Sequence, residues 1–248
     1  MGSMRISGSV RSALAAMVCL AALSSCGSAA QGSSGGGAGG GAPDAKPAEQ
    51  RTTNLKRLPD VGDKLWQRIP AGSRQAVVVT GESAYSATST VALYEKHGAT
   101  WDRARAWPGH NGRKGWTPDH REGDKRSPVG VFTLSDAGGV LADPGAKLPY
   151  TQSPAFAASR SWPKTHWHDF DYVIAIDYNR AKGTPPNDPT RPRGQAKGGY
   201  IWLHMDHGSG TSGCVSVSKP AMQYLLKRLD PKQQPVIVMG DKRQLAAD

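Results

Sequence analysis

Cysteine is scarce in this 248-residue chain, three residues in all, and that scarcity excludes a disulfide-stapled scaffold. No long apolar run marks a membrane-spanning helix: the stretch from Ala13 to Leu23 has about eleven residues where a bilayer needs about 20. Acidic residues are outnumbered, 20 against 31 Lys and Arg, for a formal charge of +11. Such a surface favours anionic partners such as wall polymers and lipid head groups. Nucleic acid would satisfy the charge alone, but the chain carries no nucleic-acid-binding motif, and none is expected to bind. A His-Glu-x-x-His pair, the helix-borne signature of zinc peptidases, is also missing.

The amino terminus explains the short apolar run. Arg5 and Arg11 supply a basic start, the apolar stretch follows, and small residues close it at Leu23-Ser24-Ser25-Cys26. This reads as a signal peptide over residues 1–26. Leu-Ser-Ser-Cys also resembles the bacterial lipobox, whose cysteine becomes the first mature residue and carries acyl chains, so Cys26 is the expected lipidation site. Loss of Arg5 and Arg11 would lower the charge by two, to +9. Cys19 would leave with the peptide and Cys26 would be acylated, so the mature protein keeps one thiol, Cys214. A lone thiol outside the cytoplasm has no internal disulfide to make; it either fills a core or reacts.

Residues 27–60 begin as Gly, Ser, Ala and Pro with almost no large side chain, the composition of a tether spanning on the order of 25 Å. A single domain is expected over residues 61–242. Residues 64–69 read as a short leading helix. Gln75–Thr80, Thr90–Tyr94, Thr100–Trp107, Gly130–Leu134, Tyr172–Tyr178, Tyr200–His204 and Pro235–Met239 are short and β-rich with turn residues between them, which predicts a mainly β sandwich or barrel with few helices. The one clear helix is capped by Ser218, repeats Met222, Leu225, Leu226 and Leu229, and ends at Asp230-Pro231. Residues 180–198 are rich in Pro, Gly and charge, and read as a lid or a disordered insertion.

Chemistry concentrates in Gly199-Tyr-Ile-Trp-Leu-His204, Met205-Asp-His-Gly-Ser-Gly210 and Thr211-Ser-Gly-Cys-Val-Ser216. A strand ends in His204 and a small-residue turn presents Cys214. The turn lets the chain reverse and sets the two segments side by side. A free thiol is only a few per cent thiolate at neutral pH, and an imidazole at the strand end is expected to lower its pKa. Gly213 permits close substrate approach and would aim backbone N–H groups at a developing oxyanion. His207 is nearer to Cys214 in sequence but lies in the turn.

Strand-His, loop, Thr-x-Gly-Cys resembles the active-site signature of the L,D-transpeptidase catalytic domain, the YkuD type. Pro108-Gly-His-Asn-Gly112 and Arg121-Glu-Gly-Asp-Lys-Arg-Ser-Pro-Val-Gly-Val-Phe132 resemble its upstream block, in the same order. The chain departs from the better-known Ser-His-Gly-Cys-x-Arg pattern, with Ser212 at the His position and Ser216 at the Arg position. The resemblance implies a β-sandwich-like fold and a reaction at peptidoglycan stem peptides. Cys214 would be the nucleophile and His204 its base, and the backbone carbonyl of Met205 would orient the imidazole. Tyr200, Trp202, His207 and Thr211 would line the substrate groove with Asp124, whose carboxylate is expected to bond backbone.

No metal or cofactor is expected, and the chain is expected to act as a monomeric, membrane-anchored lipoprotein of the cell envelope. Two other readings stand beside this one. One is a wall-binding lipoprotein without catalysis, since the family arginine is missing. The other is a zinc wall peptidase, since His166-Trp-His168-Asp169 and His204-Met-Asp206-His207 hold metal-ligand residue types.

Overall fold

The computed structural model describes residues 52–248; the expected signal peptide, Cys26 and the expected tether as far as residue 51 lie outside the described residues. In chain order the strands are β1 (Gln75–Gly81), β2 (Thr88–His97), β3 (Thr100–His110), β4 (Trp116–Thr117), β5 (Ser127–Pro128), β6 (Gly130–Thr133), β7 (Ala137–Gly139), β8 (Tyr150–Gln152), β9 (Val173–Ala175), β10 (Trp202–Met205), β11 (Val215–Val217) and β12 (Val236–Asp241). Three short α-helices accompany them: α1 (Asp63–Trp66), α2 (Lys219–Arg228) and α3 (Lys242–Leu245). The fold is mainly β, as the sequence predicts.

Ten strands form one mixed sheet in the order β6-β12-β1-β2-β3-β11-β10-β9-β7-β8, and β4 pairs with β5 apart from it. Both faces of β1 are covered, which is why Ala76-Val-Val-Val79 is a continuous apolar run rather than an alternating one. Val77 and Val79 join Val91, Leu93, Ile174, Leu203, Val215 and the α2 residues Met222, Leu225 and Leu226 in one core. Ala76 and Val78 face a second core with Leu58, Leu65, Trp101, Val238 and Leu245. The first core draws on both halves of the sheet, so the sheet curls round α2 in the manner of a sandwich.

Several boundaries move for physical reasons. The packed body begins before residue 61: Leu55 pairs with Trp101 and Leu58 is buried, so the tether does not extend to residue 60. It also runs beyond residue 242, because α3 buries Leu245 beneath β12. The leading helix is confined to Asp63–Trp66. Of Tyr172–Tyr178, only Val173–Ala175 joins the ladder, although Ile176 and Tyr178 are buried. Ser218 makes no side-chain cap at α2; its carbonyl accepts the Met222 N–H at 2.9 Å, and Pro220 occupies the first turn. The strand β11 stands between Cys214 and that helix.

Residues 180–198 contain only one short 3-10 turn, Gln195–Lys197, yet they are anchored. Arg180 is buried and bonds Asp136 at 2.9 Å and Asp177 at 2.5 Å, with Thr184 O as a further acceptor. Asn179 holds Gly194 O and Gly198 O with its amide and receives the Arg193 N–H. The insertion is therefore strapped to the body by polar side chains instead of a core of its own.

Candidate active site

The segments carrying His204 and Cys214 lie side by side, but not as a reversing hairpin. β10 and β11 are parallel, with Leu203 opposite Val215 and His204 opposite Ser216. Residues 206–214 therefore loop out and return to the start of β11, which sets Cys214 beside Trp202. Alternation sends Leu203 and Val215 into the main core and leaves Trp202, His204, Cys214 and Ser216 on the other face. There Cys214 and Phe170 pack against the cluster of Phe156, Val173, Ala175 and Trp202.

The return loop is held by a network that the upstream motif supplies. Thr211 Oγ1 donates to Cys214 O (2.7 Å) and accepts the Gly213 N–H (3.1 Å). Ser127 Oγ lies 2.8 Å from Gly213 O and 3.1 Å from Cys214 O, and accepts the Gly112 N–H at 2.8 Å. Asn111, fully buried, receives the Thr211 N–H on its backbone carbonyl and grips Ser86 O with its side-chain amide. Asp124 accepts the N–H groups of Arg121 and Arg126 and lies 3.0 Å from His120 Nδ1. It shapes that loop, as expected, and does not reach the thiol cavity. Asp206 anchors the start of the return loop, taking Ser216 Oγ at 2.7 Å, the Gly208 N–H at 3.1 Å and His110 Nδ1 at 2.8 Å. Burial opposes its ionisation, but these donors outweigh that and hold its carboxyl below the ordinary value.

Gly213 has φ +147°, and a Cβ there would lie 3.1 Å from Arg126 O and 3.3 Å from His120 Cε1. Only glycine fits without displacing the motif loop. Its N–H, expected to face an oxyanion, is engaged by Thr211 instead, so it serves the turn.

His204 is buried, and its Nδ1 lies 2.8 Å from the Met205 carbonyl. A carbonyl only accepts, so Nδ1 carries the proton and Nε2 keeps its lone pair. Burial pushes the imidazole below its ordinary pKa, outweighing the Met205 bond and the charge of Asp169. The ring is therefore neutral at pH 7 and able to accept a proton.

Cys214 is half-buried, with Sγ donating to Tyr200 O at 3.3 Å and receiving the Trp202 N–H at 3.5 Å. Burial pushes its thiol up to about 11 despite that N–H. This reverses the expectation of a depressed pKa: desolvation against aromatic and aliphatic neighbours dominates. The resting pair is thus thiol and imidazole, not thiolate and imidazolium.

Two cavities meet at the thiol. One, about 370 Å³, is lined by Cys214, His204, His207, Phe170, Trp162 and Arg113. The other, about 480 Å³, is lined by Cys214, Tyr200, Trp202, His120, Gly213 and Trp162. Ser212 borders both and receives a bond from Arg113 Nη2 at 3.2 Å. Tyr200 is 42% exposed and lies under the Arg191 guanidinium. Trp202 is largely buried, its Nε1 on Pro186 O, so both aromatics lean on the 180–198 insertion. His207 is not a free base, because its buried ring sits between His166 and His204 with Nδ1 3.0 Å from Asp169. Thr211 lies behind the turn and reaches the first cavity only at its edge.

Arg113 and Phe170 were not marked as site residues by sequence, whereas Asp169 was expected as a metal-ligand type within a 166–169 substrate-groove loop and Trp162 as core or groove wall. Arg113 directly follows the Asn-Gly pair, and the bond from its N–H to Thr211 O (2.8 Å) is what brings it to the cavity. Trp162, Asp169 and Phe170 lie in residues 162–170, far from the signature in sequence, and the bond from the Met205 N–H to Asp169 O (3.0 Å) ties that segment to β10.

The family model for the L,D-transpeptidase catalytic domain, YkuD, matches residues 74–238. Among curated proteins none matches the chain. A solved structure, that of Bd1075 from Bdellovibrio bacteriovorus, is similar at 16% identity and a TM-score of 0.39, over 75% of this chain and 53% of its own. The chain thus spans about half the length of that protein.

Proposed function

The chain belongs to the L,D-transpeptidase catalytic domain family, and from that premise we propose that it is an exported cysteine acyltransferase acting on peptidoglycan stem peptides. The observation that carries this reading is the shared cavity of Cys214 and His204, in which Met205 O holds the imidazole with Nε2 free. His204 Nε2 takes the thiol proton as Cys214 Sγ attacks the carbonyl that joins a diamino acid to a terminal D-residue. The tetrahedral intermediate collapses, the leaving amine takes the proton from His204, and a thioester remains. An amine of a neighbouring stem then attacks, giving a crosslink, or water does, giving a trimmed stem. In either case His204 accepts the attacker's proton and returns it to the departing thiolate.

Two cavities meeting at one sulfur suit a reaction with a donor and an acceptor. Arg113 offers a cation at the rim of the first cavity, and in this reading it holds a substrate carboxylate in place of the arginine that the chain lacks at Ser216. Ser216 is fully buried and bonded to Asp206, so no long cation would fit there. The Cys26 anchor and the tether would place the domain at the outer face of a membrane. The alternative of a wall-binding lipoprotein without turnover draws on the raised thiol pKa.

Treatment of the purified protein with a carbapenem followed by intact-mass measurement tests the proposal. One covalent adduct per chain is expected, lost in Cys214→Ala. No adduct, with stem peptides still bound, would transfer support to the non-catalytic reading.

A further inference from the structure

Next to the thiol cavity, two sequence segments that look unremarkable separately converge on one carboxylate. His166 Nδ1 lies 2.9 Å from Asp169 Oδ2, and His207 Nδ1 lies 3.0 Å from the same oxygen. One donor atom from each of the three residues falls within 4.8 Å of the others. The two imidazoles are 4.1 Å apart between centroids, tilted by 52°. His207 is the telling member: its side chain is only 4% exposed, its Nδ1 pairs with Asp169, and its Nε2 has no hydrogen-bond partner. A buried ring nitrogen left without a partner is costly unless it has a ligand.

We propose that His166, Asp169 and His207 form a binding site for a divalent transition metal of the zinc class. Two imidazoles and a carboxylate are the donor set that such borderline cations take, whereas calcium and magnesium ask for six or more oxygens. Tetrahedral bonds of zinc length put neighbouring ligand atoms about 3.4 Å apart, and the two imidazole nitrogens stand 2.9 and 3.0 Å from the carboxylate oxygen. All three residues line the cavity that also holds Cys214 and His204. Bound metal joins the 166–169 turn to the end of β10, and Phe170, whose ring lies 5.3 Å from that of His204, follows directly. The site would therefore stiffen one wall of the thiol cavity and place a positive charge in it. It stands independently of the acyl-transfer reading.

The test uses the full chain, stripped with a chelator and titrated with Zn²⁺, reading stoichiometry by equilibrium dialysis and unfolding by a thermal melt. One Zn²⁺ per chain and a rise in Tm are expected in the wild type and equally in Cys214→Ser. Binding should weaken at least tenfold in His166→Gln, Asp169→Asn and His207→Gln, and should be unchanged in His168→Gln, whose ring is 74% exposed. Co²⁺ in place of Zn²⁺ should give a visible ligand-field band with no thiolate charge-transfer band. His166 is 28% exposed, so its variant decides the matter even if His207→Gln fails to fold. No stoichiometric binding, or binding lost in Cys214→Ser and kept in His166→Gln, would overturn the proposal.

Discussion

Alkylation of Cys214 in the resting protein should be slow at neutral pH and should climb steadily with pH. The thiol is raised to about 11 from an ordinary 9.0, which leaves about a hundredfold less thiolate at pH 7. A more basic thiolate is the better nucleophile, and a Brønsted slope of about 0.4–0.5 returns about tenfold of that loss. The net expectation is a rate about tenfold below that of free cysteine at pH 7, before any steric hindrance from Trp202 and Phe170. Below the folded pKa of the thiol the rate should rise about tenfold per pH unit from 7 to 10 without a plateau. Iodoacetamide labelling read by intact mass across that range measures it. His204→Ala should leave this profile nearly unchanged, since the imidazole does not ionise the resting thiol. It should nevertheless cost about 10²–10⁴-fold in acylation by a substrate or carbapenem, where the base acts in the transition state. A plateau below pH 8 that His204→Ala removes would refute the reasoning. The resting pair would then be thiolate and imidazolium, and burial would not be the dominant influence on Cys214.

Ser127→Ala removes the hydroxyl that joins Gly112 N to the carbonyls of Gly213 and Cys214; a loss of about 1–3 kcal/mol in urea unfolding is expected, together with slower acylation as the turn loosens. Arg113→Ala should raise KM for a stem tetrapeptide more than tenfold and change kcat less than threefold, and Arg113→Lys should recover part of the loss; a fall in kcat alone would remove the carboxylate role. Cys26→Ala should move the protein from the membrane to the soluble fraction while leaving carbapenem labelling of Cys214 intact; unchanged fractionation would remove the lipid anchor.

The chemistry was legible in the sequence wherever it depends on neighbours along the chain. Cys214 after a small-residue turn, His204 at a strand end and the Gly-Asp loop upstream are local patterns, and the β-rich runs foretold a mainly β fold because β-branched and aromatic composition between turn residues is local too. The carbonyl of Met205 entered as what the family resemblance implies, and it lies 2.8 Å from His204 Nδ1. What the sequence left open depends on partners distant in the chain. A turn of Gly, Ser and Thr is compatible with either strand direction, and only pairing of β11 with β3 on its far side makes β10 and β11 parallel. Burial against the cluster of Phe156, Val173, Ala175 and Trp202 raises the thiol pKa, and those residues come from three separate segments. In the same way the carboxylate of Asp169 meets His207 across 38 positions of sequence, and the Arg113 side chain reaches the rim across 99. Periodicity and motif report which residues face inward, but a charge or a proton responds to distance in space, and that distance exists only once the sheet has curled.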